Sequence, residues 1–190
     1  MNDFRKIGVV GKVTIINGDE IIIKRESNAI VRQGLRHISA LLSMNGYNHD
    51  LYTPQYTYFG SYAPVISFGK GAITQTAWDT DDLINRITVN ASSGTQNATA
   101  QIGSNNYYCT IYTASWNSSI LNDQLIGEEK LSELGLYLNL FNSVSANWSI
   151  SAGTTYPNVL FSRISLGDAS FVPSSVKPVT VEWELGVEFV

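Results

Sequence analysis

Three observations predict a mainly-β fold for this chain: an antiparallel β-sandwich, jelly-roll-like, with one amphipathic α-helix near the N-terminus. Val179 to Val190 alternates Val, Val, Trp, Leu, Val and Phe with Thr and three glutamates, the period of two that a strand with one apolar face requires. Short apolar runs recur along the chain between clusters of Ser, Thr, Asn and Gly, which punctuate strands with turns. One early segment has a different period, with Ile30, Val31, Gly34, Leu35, Ile38, Leu41 and Leu42 recurring at three and four residues, as on the buried face of a helix.

Taken in order, Ile7 to Val13 and Thr14 to Ile23 read as two strands, and Asn17-Gly18-Asp19 marks the turn of an opening β-hairpin within residues 1–26, because Asn-Gly takes the positive φ of a tight turn easily. The helix is expected from about Asn28 to Met44, with Asn28 at the N-cap and Asn45-Gly46 ending it. Tyr47 to Tyr62, tyrosine-rich and broken by Pro54, reads as a long loop, and Val65 to Phe68 as a buried strand running into Gly69-Lys70-Gly71. Leu83 to Val89 fits either a strand or a short turn of helix. Residues 90–106 are Ser, Thr, Asn, Gln and Gly with little apolar content, which favours a mobile loop over an edge hairpin. Tyr107 to Ala114 alternates as a strand, Asn117 to Asp123 turns, Leu131 to Phe141 reads as a core strand, and Val159 to Leu166 precedes the closing strand. The whole chain, 1–190, is expected to form a single domain with its sandwich strands in residues 63–190.

Composition narrows the function. The chain is 44% hydrophobic and only 15% charged, below the ~25% of an average soluble domain, so its surface is mostly neutral and polar. A net charge of −4 and a pI near 5.1 oppose a role in neutralising nucleic-acid phosphates. Lys24, Arg25, Arg32 and Arg36 form the one basic cluster and read as solvated charge. Cys109 is the sole cysteine, so neither an intrachain disulfide nor a cysteine-based zinc site can form. The N-terminus carries no signal-peptide pattern and no segment is long enough to span a bilayer. Cytoplasmic synthesis is therefore expected, with the Asn-x-Ser/Thr triplets at Asn90, Asn97, Asn117 and Asn147 arising from composition alone.

Material for catalysis is thin. His37 and His49 are the two histidines, and a catalytic base needs an orienting carboxylate more specific than the neighbouring Asp50. No Gly-x-Ser-x-Gly elbow occurs, and Phe68-Gly69-Lys70-Gly71-Ala72 lacks the spacing of a phosphate loop. Asp79, Asp81 and Asp82 resemble hard oxygen ligands without the glutamate and glycine of a calcium loop; acidic capping of Leu83 to Arg86 is their expected role. No catalytic residue, cofactor or metal is expected.

The order of four features resembles structural proteins of tailed bacteriophages, particularly the N-terminal modules of tail-fibre and collar-type proteins. These are Asn-x-Ile-Val-x-x-Gly-Leu from Asn28 to Leu35; Phe68-Gly69-Lys70-Gly71 with Thr-rich sequence and Leu83 after it; Glu133-Leu134-Gly135-Leu136; and Leu160-Phe161-Ser162-Arg163-Ile164 followed by Lys177 and a closing strand with Trp183. The resemblance spans roughly residues 28–190 and departs in two respects: Tyr47 to Tyr62 looks inserted, and no shaft or stalk repeat follows. It implies a virion subunit that contacts itself and other virion proteins, not nucleic acid or membrane.

On residue chemistry, Gly135 permits a bend or a close approach, and a buried Glu133 needs partners such as backbone N–H groups or Arg163. Tyr52, Tyr56, Tyr58 and Tyr62 offer anchors for a protein contact, with stacking on a host glycan as the rival use. The expected function is thus a non-enzymatic, homo-oligomeric virion component of the tail, neck or baseplate; the alternatives are a capsid decoration or head-fibre protein and a glycan-binding adhesin.

Overall fold

The computed structural model describes residues 7–32, 34–35, 65–71, 82–87, 91–92, 94–102, 105–138 and 159–189. Among these residues ten strands run in the order β1 (Ile7–Asn17), β2 (Glu20–Ser27), β3 (Ala29–Ile30), β4 (Val65–Lys70), β5 (Ala91–Ser92), β6 (Gly94–Ile102), β7 (Asn105–Trp116), β8 (Leu131–Leu138), β9 (Val159–Ser165) and β10 (Val179–Phe189). Among the described residues a short helix, α1 (Ser118–Asn122), follows β7, and a 3-10 turn, Gly167–Ala169, follows β9.

The strands form two antiparallel five-stranded sheets, β2-β1-β10-β7-β6 and β3-β9-β8-β4-β5. β1 and β10 pair without a shift from Ile7↔Phe189 to Asn17↔Val179, so the closing strand lies at the centre of the first sheet. Thr14, expected to open the second strand, instead lies inside β1; the hairpin turns at Gly18, whose φ of +67° costs glycine little. A single residue separates β2 from β3 and another separates β5 from β6. In both places the chain leaves one sheet and enters the other, so each pair of sheet edges is joined by a strand that turns a corner.

The two sheets share one core. Val13, Ile15, Ala114, Trp116, Val179, Val181 and Trp183 from the first meet Ile66, Phe68, Leu131, Leu134, Leu136 and Ile164 from the second. Phe68 ties the layers, its ring 5.1 Å from that of Trp116 and 6.0 Å, edge-on, from Phe171. The arrangement follows from alternation: on β10 the residues at 179, 181 and 183 are buried, while Glu182 is exposed. β8 departs from this pattern, since Leu131 through Tyr137 are all buried, so both faces of that strand are covered.

Several expectations require correction. Asn28 is not an N-cap: it turns the corner between β2 and β3, its N–H donates to the Gly11 carbonyl (3.3 Å), and its amide fills space that a Cβ on Gly11 would occupy. Helical geometry begins only after β3, with the Leu35 N–H donating to the Val31 carbonyl at 3.0 Å; the rest of the expected 28–44 helix lies outside the described residues. Within 90–106, the expected loop holds strands β5 and β6, and β6 pairs with β7 from Gly94↔Thr113 to Ile102↔Asn105. The ladder offered by β7 outweighs the weak strand propensity of its partner. Asn117 to Asp123 contains α1, with the Asn117 side chain accepting the Ser119 N–H (3.1 Å) as N-cap. Residues 82–87 are neither regular strand nor helix; they join the second sheet through one bridge, Gly69↔Arg86.

Candidate functional site

The outer face of the second sheet, turned away from the shared core, holds a buried polar cluster. β8 places Glu133, Gly135 and Tyr137 on that face, and the register sets Gly135 opposite Arg163 of β9 and Ser67 of β4. Glu133 and Arg163 therefore meet diagonally across two strands. Arg163 donates from Nε (2.6 Å) and approaches with Nη2 (2.5 Å) at the same carboxylate oxygen, and both side chains are 0–1% exposed. Among the described residues Arg163 Nη1 has no hydrogen-bond partner. Burial raises the Glu133 pKa above the ordinary carboxylate value; the Arg163 charge and hydrogen bond oppose the shift, as does the Ile84 N–H.

Residues 82–87 close over this face. Tyr137 donates its hydroxyl to the Asp82 carboxylate, which also accepts the Leu83 N–H at 2.8 Å. The Arg86 guanidinium lies 3.7 Å from the centre of the Tyr137 ring, and its Nε donates to Ser67 Oγ at 3.3 Å. Burial, then the hydrogen bond to Asp82, push the Tyr137 phenol well above its usual range. The close fit depends on Gly69, where a Cβ would stand 2.5 Å from Glu133 Oε1 and 2.7 Å from the Ile84 carbonyl oxygen. Gly135 makes comparable room, for Leu160, Leu83 and the Tyr137 ring rather than for another backbone. Tyr137, Asp82, Arg86 and Ser67 bond across the gap between residues 82–87 and the sheet, which makes the cluster a clamp that fixes the cover to the sheet.

A second feature is outward-facing. At the end where β1, β7 and β9 finish and β8 and β10 begin, the hairpin turn, α1 and the 172–178 segment are bonded together. Asn17 donates to the Val172 carbonyl (3.1 Å) and accepts the Ser174 N–H (2.7 Å), while Asn122 donates to the carbonyls of Pro173 (3.4 Å) and Ser174 (3.3 Å). Lys70 holds the adjoining loop through the Gln124 carbonyl (2.7 Å) and the Glu129 carboxylate (2.6 Å); that hydrogen bond lowers the Glu129 pKa. On these fixed segments Ile120, Ile126, Val172 and Val176 point into solvent, Ile126 at 77% and Val176 at 82% exposure.

The residues singled out in the sequence therefore separate. Glu133, Gly135 and Arg163 meet in the clamp, Leu136 and Trp183 are buried in the shared core, and Lys177 sits in the solvent-facing end paired with Asp19 of the hairpin turn. Tyr52, Tyr56, Tyr58 and Tyr62, like His37, His49, Asp79 and Asp81, lie outside the described residues. Sequence reading missed the roles of Ser67, Arg86 and Tyr137, although Asp82 and Arg86 stand at the i,i+4 spacing of an ion pair (3.7 Å). It also missed the exposed Ile and Val, for which no periodicity gives a signal. Among the described residues no group of three His, Cys, Asp or Glu could hold a metal ion, and no helix is long and apolar enough to cross a membrane. No protein-family model, curated protein or solved structure matches this chain.

Proposed function

We propose that the chain is a non-enzymatic structural subunit of a tailed-bacteriophage particle, a homo-oligomer of the tail, neck or baseplate, built on a jelly-roll-like β-sandwich. The observation that carries this reading is the end formed by the hairpin turn, α1 and the 172–178 segment, where exposed Ile120, Ile126, Val172 and Val176 stand on segments fixed by hydrogen bonds. Apolar side chains held rigidly in water lose little conformational entropy when a neighbouring protein covers them. The meeting of Glu133, Gly135 and Arg163, drawn from two of the motifs behind the phage resemblance, adds support.

The test is location and copy number in particles produced by the genome that encodes the chain. Antibody-labelled electron microscopy with quantitative mass spectrometry is expected to find a few copies at the tail, neck or baseplate. Label over the whole head at high copy number would favour a decoration protein instead, and absence from purified particles would end the virion reading. Ile126→Ser with Val176→Ser is expected to reduce incorporation severalfold while leaving the circular dichroism unchanged.

A further inference from the structure

The first sheet has two edges of opposite character. β2 is defended: Glu20, Lys24, Arg25 and Glu26 stand on its eight residues, and its pairing with β1 shifts register where Lys24 and Arg25 lie against Thr14 alone. Arg25 there has φ +52° and reaches the Glu184 carboxylate at 3.1 Å. A bulge and charges are the common means by which an edge strand is kept from pairing with another chain. β6, the opposite edge, has neither. It reads Gly-Thr-Gln-Asn-Ala-Thr-Ala-Gln-Ile, contains no charge and no proline, and stays in unbroken register with β7 over all nine residues. The sequence carries no Asp, Glu, Lys, Arg or His from Ile87 to Asn122. Among the described residues, β7 is the only strand that pairs with β6.

We infer that the β6 edge pairs with the β6 edge of a second copy of this chain, antiparallel about a two-fold axis, joining the two first sheets into one sheet across the dimer. The inference rests on the homo-oligomeric reading above and names the surface it uses. The occupant follows from self-complementarity. With the axis at Ala98, the pairs are Gly94↔Ile102, Thr95↔Gln101, Gln96↔Ala100, Asn97↔Thr99 and Ala98 with itself. None sets charge against charge, and the central position holds a small residue. An isologous contact of this kind closes at two copies, leaving no free β6 edge to propagate a filament. The edge N–H and C=O groups supply the bonds; β2, with its bulge, cannot offer an equally regular ladder.

The experiment is disulfide scanning of the full-length chain with Cys109 replaced by Ala. That replacement is required because Cys109 is opposite Ala98 within the hairpin and would capture a new thiol internally. Single cysteines are placed at positions 95 to 101 and, as a control, at Lys24 on β2. A residue on the axis faces its own copy at a Cα separation of roughly 4.5–5.5 Å, within the span of a disulfide. Mild oxidation is expected to give a covalent dimer with a sharp maximum at or next to position 98 and none from Lys24→Cys. Ala98→Lys, with unchanged circular dichroism, is expected to weaken self-association at least about tenfold by sedimentation, because it sets two like charges face to face.

A multimeric chain that cross-links at none of the seven positions overturns the β6 pairing and leaves the homo-oligomeric reading standing. A chain monomeric at every concentration overturns both. Equal cross-linking at all seven positions, with a ladder of higher masses, indicates unregistered aggregation and also overturns the pairing.

Discussion

The two faces of the second sheet are equally dry, but only the outer one buries charge. Phe68, Leu134, Leu136 and Ile164 on the inner face are apolar and meet the first sheet, whereas the outer face sets the Glu133–Arg163 pair, Ser67 and the Tyr137 hydroxyl beside an apolar cluster of Val31, Leu83 and Leu160, with Tyr137 and Ser67 bonded to the 82–87 cover. On the inner face stabilisation scales with apolar area removed from water and tolerates approximate shape. On the outer face it depends on each charge keeping its partner, because desolvation has already cost several kcal/mol per ion, as an order of magnitude. An apolar face makes the sheets adhere; a polar buried face determines which segment covers them and in what position.

The largest effect is expected where the polar face loses one partner. Arg163→Ala leaves Glu133 buried and unpaired and is expected to destabilise the chain by about 3–5 kcal/mol in urea unfolding. Replacing both residues, Glu133→Leu with Arg163→Met, is expected to recover most of that loss; a double variant as unstable as Arg163→Ala would break the contrast between the faces. On the inner face, Leu134→Ala removes buried carbons and opens a cavity, for an expected loss of about 2–5 kcal/mol. Gly69→Ala drives a methyl against the Glu133 carboxylate and the Ile84 carbonyl, and a loss of about 1–3 kcal/mol is expected.

Smaller still is the pH effect. Because the folded chain holds the Glu133 proton to higher pH than the unfolded chain does, this group favours folding most below its ordinary pKa. The advantage is lost as pH rises from that value through the raised one. A carbon-13 titration of the Glu133 carboxyl is expected to give a midpoint above the ordinary carboxylate value; one at or below it would show that Arg163 outweighs burial. Lys177→Ala, which removes a solvent-exposed ion pair with Asp19, is expected to cost no more than about 1 kcal/mol.

What could be read from the sequence followed the same division. β10 declared itself because Val179, Val181 and Trp183 alternate with Thr180, Glu182 and Glu184, and a strand with one wet face has to show that pattern. The hairpin turn declared itself through Asn17-Gly18. β8 was legible as a core strand from Leu131, Leu134, Leu136 and Leu138, but the cover over Glu133 and Tyr137 was not, since residues 82–87 reach it through tertiary contacts that leave no periodicity. β6 was hidden because its strand character comes from β7 and not from its own residues. Asn28 was misread because an Asn before an apolar run serves a helix start and a sheet corner equally well, and tertiary contacts, with Gly11 and between β3 and β9, separate the two. The pairing of Glu133 with Arg163 was open to anticipation for an electrostatic reason: a charge inside an otherwise apolar strand needs an opposite charge nearby.

The claim on which the functional account rests is that copies of this chain assemble. The most direct measurement is the solution mass of the purified full-length protein by multi-angle light scattering at micromolar concentration. A discrete multiple of the 20.9 kDa chain mass is the expected result, and a single 20.9 kDa species at every concentration tested would contradict it.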